Sequence, residues 1–295
     1  MNRYTAFVIV FWLAGFVGVA PAHAQRSDMY QAVGRVAIVG KAALAKGYQF
    51  LDIGTLFGTL LRNGQRVDET FQLQAGKRYA FIAGGDDDAR DVDLYLYDSG
   101  GRLVGKDTDR TASAVVAFQP RVSGRYRVVL TLPSSRTNES FCALSVLTTD
   151  RQHGFELRTE SLLDTLKSLE TSFQVVERVM EERGDDVDLR FHSGTNTWLL
   201  MGAILHHKTA VGSDPKYFAP ASYLGICVGE ASCSDVNLYV RTPTGRTLVR
   251  GTDTGKCSFA AFAGGSQDLL SLSMENAYSR RPSLVLSAVL RVIPQ

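Results

Sequence analysis

The sequence has no long hydrophobic run beyond its N-terminal segment and no run of basic residues. A membrane-spanning helix needs ~20 apolar residues, so no later segment predicts a span. Lys and Arg total 32 against 30 Asp and Glu, which gives a formal net charge of +2. This balance argues against nucleic acid or an anionic membrane as the main partner.

Catalytic signatures are also missing. The chain contains no G-x-S-x-G nucleophile elbow, no phosphate-binding P-loop and no G-x-G-x-x-G dinucleotide motif. Ser193 follows His192, but adjacency in sequence does not make a catalytic triad. His206 and His207 would point to opposite faces of a strand and could not easily share a metal ion. The sequence therefore predicts a protein that is not an enzyme, and a hydrolase with a hidden site stays open as an alternative.

Cysteine is scarce, with four residues: Cys142, Cys227, Cys233 and Cys257. None forms a C-x-x-C pair and no histidine lies beside them at ligand spacing, so disulfides are favoured over zinc. Four cysteines allow three pairings, which the sequence cannot distinguish. The pairing that we prefer is Cys227 with Cys233, which would close a short loop between two strands.

The first 24 residues have the order of a secretory signal peptide. Arg3 precedes an apolar run, and small residues precede Gln25, which predicts cleavage after Ala24. The mature protein would then be periplasmic or extracellular. We divide the rest into an N-terminal helix at 25–48, a β-sandwich at 49–148, an amphipathic helix at 149–184 and a second β-sandwich at 185–295.

An internal repeat organises the chain. Residues 79–118 align without a gap to residues 223–262, at a constant offset of 144, and 13 of the 40 aligned pairs are identical. Shared strand composition would rarely keep its register through a loop and a turn, so the alignment indicates a duplication.

Each copy alternates apolar and polar residues with the period of a β-strand. Val92, Leu94 and Leu96 alternate with Asp91, Asp93, Tyr95 and Tyr97, which predicts one buried and one solvent-facing side. Several such short strands separated by glycine-rich turns predict a jelly-roll-like antiparallel β-sandwich. The predicted fold is mostly β, with two tandem sandwiches that are each preceded by an α-helix.

The second helix has the clearer pattern. Gly184 provides a stop for this helix. Its apolar residues recur at spacings of three and four, and they are Leu162, Leu166, Leu169, Phe173, Val176 and Met180. Packing of this stripe against the chain's own sandwich or against the other helix is the favoured interpretation. A homodimer through residues 160–183 is the alternative, because an a/d-like seam can also join two subunits.

The first copy resembles the bacterial pre-peptidase C-terminal domain, a β-sandwich that is appended to secreted enzymes. The resemblance covers about 54–147 and extends more faintly over 200–292, where Asn237 replaces the second aspartate of the D-x-D-L-Y core. It is carried by Asn63, Gly64, Asp68, Phe71, Ala75, Gly76, Tyr79, the stretch 91–98, Gly101, Asp109, Phe118, Pro120, Gly124 and Tyr126. Relatives in collagenases bind substrate and calcium, and the resemblance implies the fold more firmly than a function.

The acidic residues of the first copy are candidates for a calcium site. Asp86 and Asp88 lie in a loop before the strand that carries Asp91 and Asp93, and calcium prefers six to eight oxygen ligands. A solvated acidic loop in which the aspartates cap a turn is the alternative. No other cofactor is predicted.

Tyrosines share the solvent-facing side of these strands with the aspartates. Tyr95, Tyr97, Tyr239 and Asp235 are the predicted binding residues, because tyrosines give a large contact area at low entropy cost. The preceding helix could instead cover this face. The predicted function is non-catalytic binding of an envelope or secreted protein, or of a glycan. A calcium-dependent structural or chaperone-like accessory module for a secreted enzyme is the alternative.

Overall fold

The computed structural model describes residues 22–52, 54–185, 187–192, 197–212, 216–217, 220–252, 254–265 and 269–294. Within these ranges the chain is mostly antiparallel β-sheet with two helices, which confirms the predicted fold class. The predicted signal peptide lies almost wholly outside the described residues, and Ala22 is already the first residue of the first helix.

The first half of the chain runs from a long helix through a series of short strands. Its elements are α1 (Ala22–Leu44), β1 (Gln49–Leu51), β2 (Leu56–Arg62), β3 (Arg66–Leu73), β4 (Tyr79–Gly85), β5 (Ala89–Tyr97), β6 (Leu103–Asp107), β7 (Ser113–Phe118), β8 (Gly124–Ser135), β9 (Glu139–Thr148) and β10 (Gly154–Phe155).

The second half repeats this order. Its elements are α2 (Thr159–Glu182), β11 (Val187–Arg190), β12 (Leu200–Leu205), β13 (Thr209–Gly212), β14 (Lys216–Tyr217), β15 (Ala221–Gly229), β16 (Cys233–Arg241), β17 (Thr247–Gly251), β18 (Cys257–Gly264), β19 (Leu269–Ser279) and β20 (Ser283–Pro294).

The two halves share their strand pairing as well as their sequence pattern. Tyr79 of β4 pairs with Phe118 of β7, and their equivalents Tyr223 and Phe262 pair in the same way between β15 and β18. Each half also has a smaller sheet, ordered β3-β8-β5-β6 in the first half and β13-β19-β16-β17 in the second. The small sheet packs against the large one across its own apolar core, so each half is a sandwich.

The large sheets of the two halves form one continuous sheet. Strand β2 pairs with β12, so that the order along the sheet is β9-β2-β12-β20-β15-β18 and the sheet has 11 described strands. Phe57 pairs with its own equivalent Met201, while Leu56 pairs with Gly202 and Gly58 with Leu200. This reciprocal pairing is that of an isologous dimer interface, here formed within one chain. No local pattern in the sequence predicts this junction.

Both helices pack on the same side of the continuous sheet. Met29 and Val36 of α1, together with Leu162, Leu166 and Phe173 of α2, belong to one buried core with the large-sheet strands of both halves. Four apolar residues of the α2 stripe, Leu162, Leu166, Leu169 and Phe173, are thus buried within the chain, which favours the intrachain packing interpretation over a homodimer through residues 160–183. In the described part, neither helix has the length and apolar character needed to span a membrane.

Helix α2 ends just before Gly184, where the sequence predicts a stop, and begins ten residues after the predicted boundary at 149. Gly184 has a φ of 81° and donates to Glu181, and Asp185 donates to Met180, which together make a Schellman motif. The helix starts at Thr159, and Arg158 makes no side-chain cap. A bidentate ion pair connects the two helices, with Arg26 Nη1 2.8 Å from Glu177 Oε2 and both side chains largely buried.

The junction between the two halves leaves no room for a side chain at Gly58. A Cβ there would lie 2.7 Å from a ring carbon of Phe141, which is fully buried. We expect Gly58→Ala to lower the free energy of unfolding by roughly 1–3 kcal/mol through overpacking. Gly34→Ala in α1 is the control, since its Cβ would meet nothing within 4 Å and it should stabilise the protein by up to ~1 kcal/mol. Denaturant titration measures the free energy of unfolding of both variants. Equal effects of the two substitutions would contradict the close approach of Gly58 to the Phe141 ring.

Candidate functional site

The predicted binding residues of the first half lie on the outer face of the small sheet. In β5, Val92, Leu94 and Leu96 are buried in the sandwich core, and the intervening Tyr95 and Tyr97 are half-buried on the other side. Because α1 and α2 cover the far side of the large sheet, they do not cover these tyrosines. We call this surface the first face.

Contacts with neighbours hold the tyrosines of the first face in place. The Tyr95 hydroxyl donates to Asp93 Oδ2 at 3.0 Å. The guanidinium carbon of Arg127, which is the cross-strand partner of Tyr97, lies 4.9 Å from the centre of the Tyr97 ring. Burial, followed by the hydrogen bond to Asp93, raises the pKa of Tyr95, so its hydroxyl stays a neutral donor. The face therefore presents two oriented rings and a stacked cation.

The second face is the equivalent surface of the other small sheet. The Tyr239 hydroxyl donates to Glu275 Oε2 at 2.7 Å, and Asn237 Nδ2 donates to the same oxygen at 2.8 Å. Arg241 lies 5.0 Å from the centre of the Tyr239 ring. Asp235 Oδ1 instead accepts from the backbone of Gly255 at 3.1 Å, which gives that carboxylate a structural role.

The sequence did not reveal the partners of these tyrosines. Arg127, Arg241 and Glu275 were not predicted as site residues. Arg127 belongs to an alternating strand, but only the pairing of β5 with β8 brings its side chain next to Tyr97. In the same way, the pairing of Asn237 with Glu275 between β16 and β19 supplies the acceptor for Tyr239.

The two faces point in the same direction. Alternate residues of the large-sheet strands belong either to the core under the helices or to the two sandwich cores, and both small sheets lie on the side away from the helices. One side of the molecule thus carries both tyrosine faces. They are related but not identical, since Tyr97 corresponds to Arg241 and Asp93 to Asn237.

The four acidic residues of the predicted calcium site have different environments. Asp86 is buried, and its carboxylate accepts from the backbone N–H groups of Asp88, Ala89 and Phe141 at 3.1, 3.1 and 2.6 Å. Asp91 and Asp93 instead lie on the first face. No group of three or more His, Cys, Asp or Glu suited to hold a metal ion occurs among the described residues. Calcium binding stays a prediction.

The Asp86 carboxylate has a structural role in the loop between β4 and β5. We expect Asp86→Ala to lower the free energy of unfolding by roughly 2–4 kcal/mol, because the buried N–H groups of Ala89 and Phe141 lose their side-chain acceptor. Asp87→Ala is the matched control, since Asp87 is exposed and pairs with Arg35 at 2.9 Å, and it should cost under about 1 kcal/mol. Thermal unfolding of both variants, measured with and without calcium, tests this prediction. A loss of stability in Asp86→Ala that occurs only in calcium-containing buffer would indicate that Asp86 is a metal ligand instead.

Asp28 of α1 faces the same acidic loop. Burial, followed by the charges of Asp86, Asp88, Asp87 and Glu139 in that order of importance, raises its pKa from 3.8 to about 7. The folded protein therefore binds this proton more tightly than the unfolded chain does. The contribution of Asp28 to stability falls as the pH rises from about 3.8 to about 7.

We expect Asp28→Asn to remove this pH dependence. At pH values above 7 the variant should be more stable than the wild type by roughly 1–2 kcal/mol, after allowance for solvent screening. Asp164→Asn, at an exposed position of α2, is the control. Unfolding free energies measured from acidic to slightly alkaline pH decide the question, and an unchanged slope in the Asp28 variant would show that another group is responsible.

All four cysteines are free thiols in the structure, which does not show the Cys227–Cys233 disulfide, and this pairing stays a prediction. The Cys233 thiol lies 3.4 Å from both the carbonyl oxygen of Asp235 and Oδ1 of Asn276. Cys227 is fully buried in the second sandwich core, and this burial raises its pKa well above the ordinary value. Cys257 faces α2, 3.2 Å from the Ser172 hydroxyl.

A cavity of about 750 Å³ lies elsewhere, between the end of α1 and the start of α2. Residues of both charge signs line it, including Lys41, Arg158, Glu156 and Glu160, together with Tyr48. No predicted site residue is among its lining residues.

No protein-family model and no curated protein sequence matches the chain. Solved structures give partial similarities. The periplasmic g-type lysozyme inhibitor PliG of Aeromonas hydrophila is 14% identical over 33% of this chain and 87% of its own, with a TM-score of 0.27. The pre-peptidase C-terminal domain of a Bacillus anthracis collagenase is 13% identical over 32% and 89%, with a TM-score of 0.28.

A third similarity extends over most of the chain. The PBSX exported protein XepA is 12% identical over 83% of this chain and 86% of its own, with a TM-score of 0.23. At these identities and TM-scores, no family membership and no function follows.

Proposed function

We propose that this protein is an exported, non-catalytic binding protein that contacts a protein or glycan of the cell envelope through its first and second faces. The observation that carries the proposal is the pair of tyrosine–arginine stacks, Tyr97 with Arg127 and Tyr239 with Arg241, on the same side of the molecule. The predicted signal peptide supports a periplasmic or extracellular location.

The physical character of the two faces suits recognition. Tyrosine buries a large area on binding while losing few rotamers, and tyrosine and arginine are the residue types most enriched at interface hot spots. The rings of Tyr95 and Tyr239 are already oriented by hydrogen bonds to Asp93 and Glu275. Oriented side chains lose less entropy when a partner binds.

Two related faces on one rigid sheet also allow bivalent binding. A partner with repeated epitopes, such as a polymer or an oligomeric protein, could occupy both faces at once. The second contact would then be intramolecular, and the combined affinity could exceed either single affinity by about two orders of magnitude or more.

One observation favours the calcium-dependent accessory module as a second candidate. The Oδ1 atoms of Asp91 and Asp93 are buried and have no hydrogen-bond partner among the described residues. Burial, followed by the charge of Asp93, raises the pKa of Asp91. A bound cation would compensate both carboxylates, and a partner whose binding needs calcium would place this function at the first face.

The experiment is capture and crosslinking of partners from the protein's own cell envelope, with calcium and with a chelator. We expect Tyr95→Ala and Tyr239→Ala each to weaken binding of the captured partner roughly tenfold, in line with hot-spot truncations. The double variant, with both substitutions, should lose more affinity for the partner than either single variant. Ile38→Ala is the control, because Ile38 is 71% exposed on α1 at the opposite side of the molecule.

The outcomes separate the two candidates. Loss of the partner in both tyrosine variants, but not in the Ile38 variant, supports the binding faces. Loss in chelator alone supports the calcium-dependent module. A partner retained equally by all variants in both buffers would refute the assignment of these faces.

A further inference from the structure

A residue with left-handed backbone conformation in the second half marks a surface that is distinct from the first and second faces. Lys208 has a φ of 59° and is the one described residue other than glycine with a positive φ. Its equivalent in the first half is Gly64, with a φ of 78°. Both residues donate a backbone hydrogen bond of 2.7 Å to equivalent strands, Gly64 to Leu132 and Lys208 to Asn276.

The turn therefore has the same backbone in both halves but different side chains. A positive φ suits glycine and is uncommon for lysine, because the Cβ crowds the backbone. Strained residues of this kind concentrate at functional sites. Lys208 thus places a cation where the fold itself prefers glycine.

Other cations and aromatic groups surround Lys208. The hairpin between β19 and β20 lies against the same turn, since buried Asn276 donates to Leu205 and to the Ser279 hydroxyl. The His207 ring packs edge-on against Tyr278, with 5.3 Å between the ring centres. We call this surface the basic corner, and it consists of His206, His207, Lys208, Tyr278, Arg280 and Arg281, all of which are exposed.

The balance of charge at the basic corner is positive. Arg281 lies 3.6 Å from Glu230, which is buried and also accepts a hydrogen bond from the Ser232 hydroxyl. The residues of the first half that are equivalent to the basic corner are Arg62, Asn63, Gly64, Ser134, Arg136 and Thr137. The cations Lys208 and Arg281 and the ring of Tyr278 are therefore particular to the second half.

We propose that the basic corner docks the protein onto the phosphate groups of an anionic membrane surface. Exposed cations at the tips of two turns can contact an extended charged surface, whereas a site for a small ion would have to surround it. Tyr278 is 54% exposed between them, and tyrosine is a side chain that favours the boundary between water and lipid. This proposal concerns a different surface from the two tyrosine faces and does not depend on them.

The sequence pattern alone argues against such a partner because the cations are not consecutive. Lys208 and Arg280 are separated by 72 positions in the sequence, and the pairing of β13 with β19 brings the two turns that carry them to the same end of the sheet. Docking of this kind needs no membrane-spanning segment, since electrostatic attraction acts from the surface.

The test is co-sedimentation of the purified chain with vesicles of phosphatidylcholine alone and of phosphatidylcholine mixed with phosphatidylglycerol. We expect binding to the anionic vesicles only, and we expect added salt to weaken it. Each Lys or Arg near an anionic surface strengthens binding about fivefold. The triple variant Lys208→Gly, Arg280→Gln and Arg281→Gln should therefore bind the anionic vesicles on the order of a hundredfold more weakly than the wild type.

Two further variants keep the test decisive. Lys208→Gly alone should bind about fivefold more weakly while its thermal unfolding midpoint stays the same or rises, because glycine suits the positive φ. A triple control, Lys46→Gln, Arg90→Gln and Arg121→Gln, removes the same charge at exposed positions elsewhere. It should keep most of the binding.

Three results would overturn the proposal. They are equal binding to neutral and anionic vesicles, an equal loss in the control and corner triple variants, and release by inorganic phosphate but not by chloride at matched ionic strength. The last result would show that the corner takes a free phosphate ion rather than a lipid surface.

Discussion

The pairing of β2 with β12 is the interaction on which the rest of the structure depends. Both strands are apolar along almost their whole length, and six of the seven residues of β2 are buried. Such strands would be exposed edges in two separate sandwiches, and exposed apolar edges invite association with other chains. Their mutual pairing buries both edges within one molecule. It also places both small sheets on one side of the continuous sheet and both helices on the other.

The same pairing makes the two halves share their cores. Trp198, two residues before β12, belongs to the sandwich core of the first half, where it packs on Phe57 with 5.2 Å between the ring centres. Met201 contacts both sandwich cores. On the opposite side, α1 and α2 share one core, and Arg26 with Glu177 connects them. The two halves are therefore better described as an internal dimer than as two independent tandem domains.

The two halves share their backbone and differ at their surface. Gly64 and Lys208 make the same turn, and the buried acids Asp86 and Glu230 occupy equivalent positions after β4 and β15. On the tyrosine faces Tyr95 and Tyr239 are retained while their hydrogen-bond acceptors come from different strands. The backbone at positions that pack or turn the chain stayed alike, because a change there affects the whole sheet. Exposed positions were free to acquire different charges.

The sequence by itself determined the local elements, the repeat at an offset of 144 and the side of each strand that faces solvent, because periodicities of two and 3.6 are local properties of the chain. It therefore placed Tyr95, Tyr97 and Tyr239 on outer faces and ended α2 at Gly184. The tertiary structure alone decided which edges meet. That choice joined β2 to β12, stacked Arg127 on Tyr97, supplied Glu275 as the acceptor for Tyr239 and brought His207 against Tyr278. Contacts between residues far apart in sequence depend on how whole sheets pack, and no local pattern encodes them.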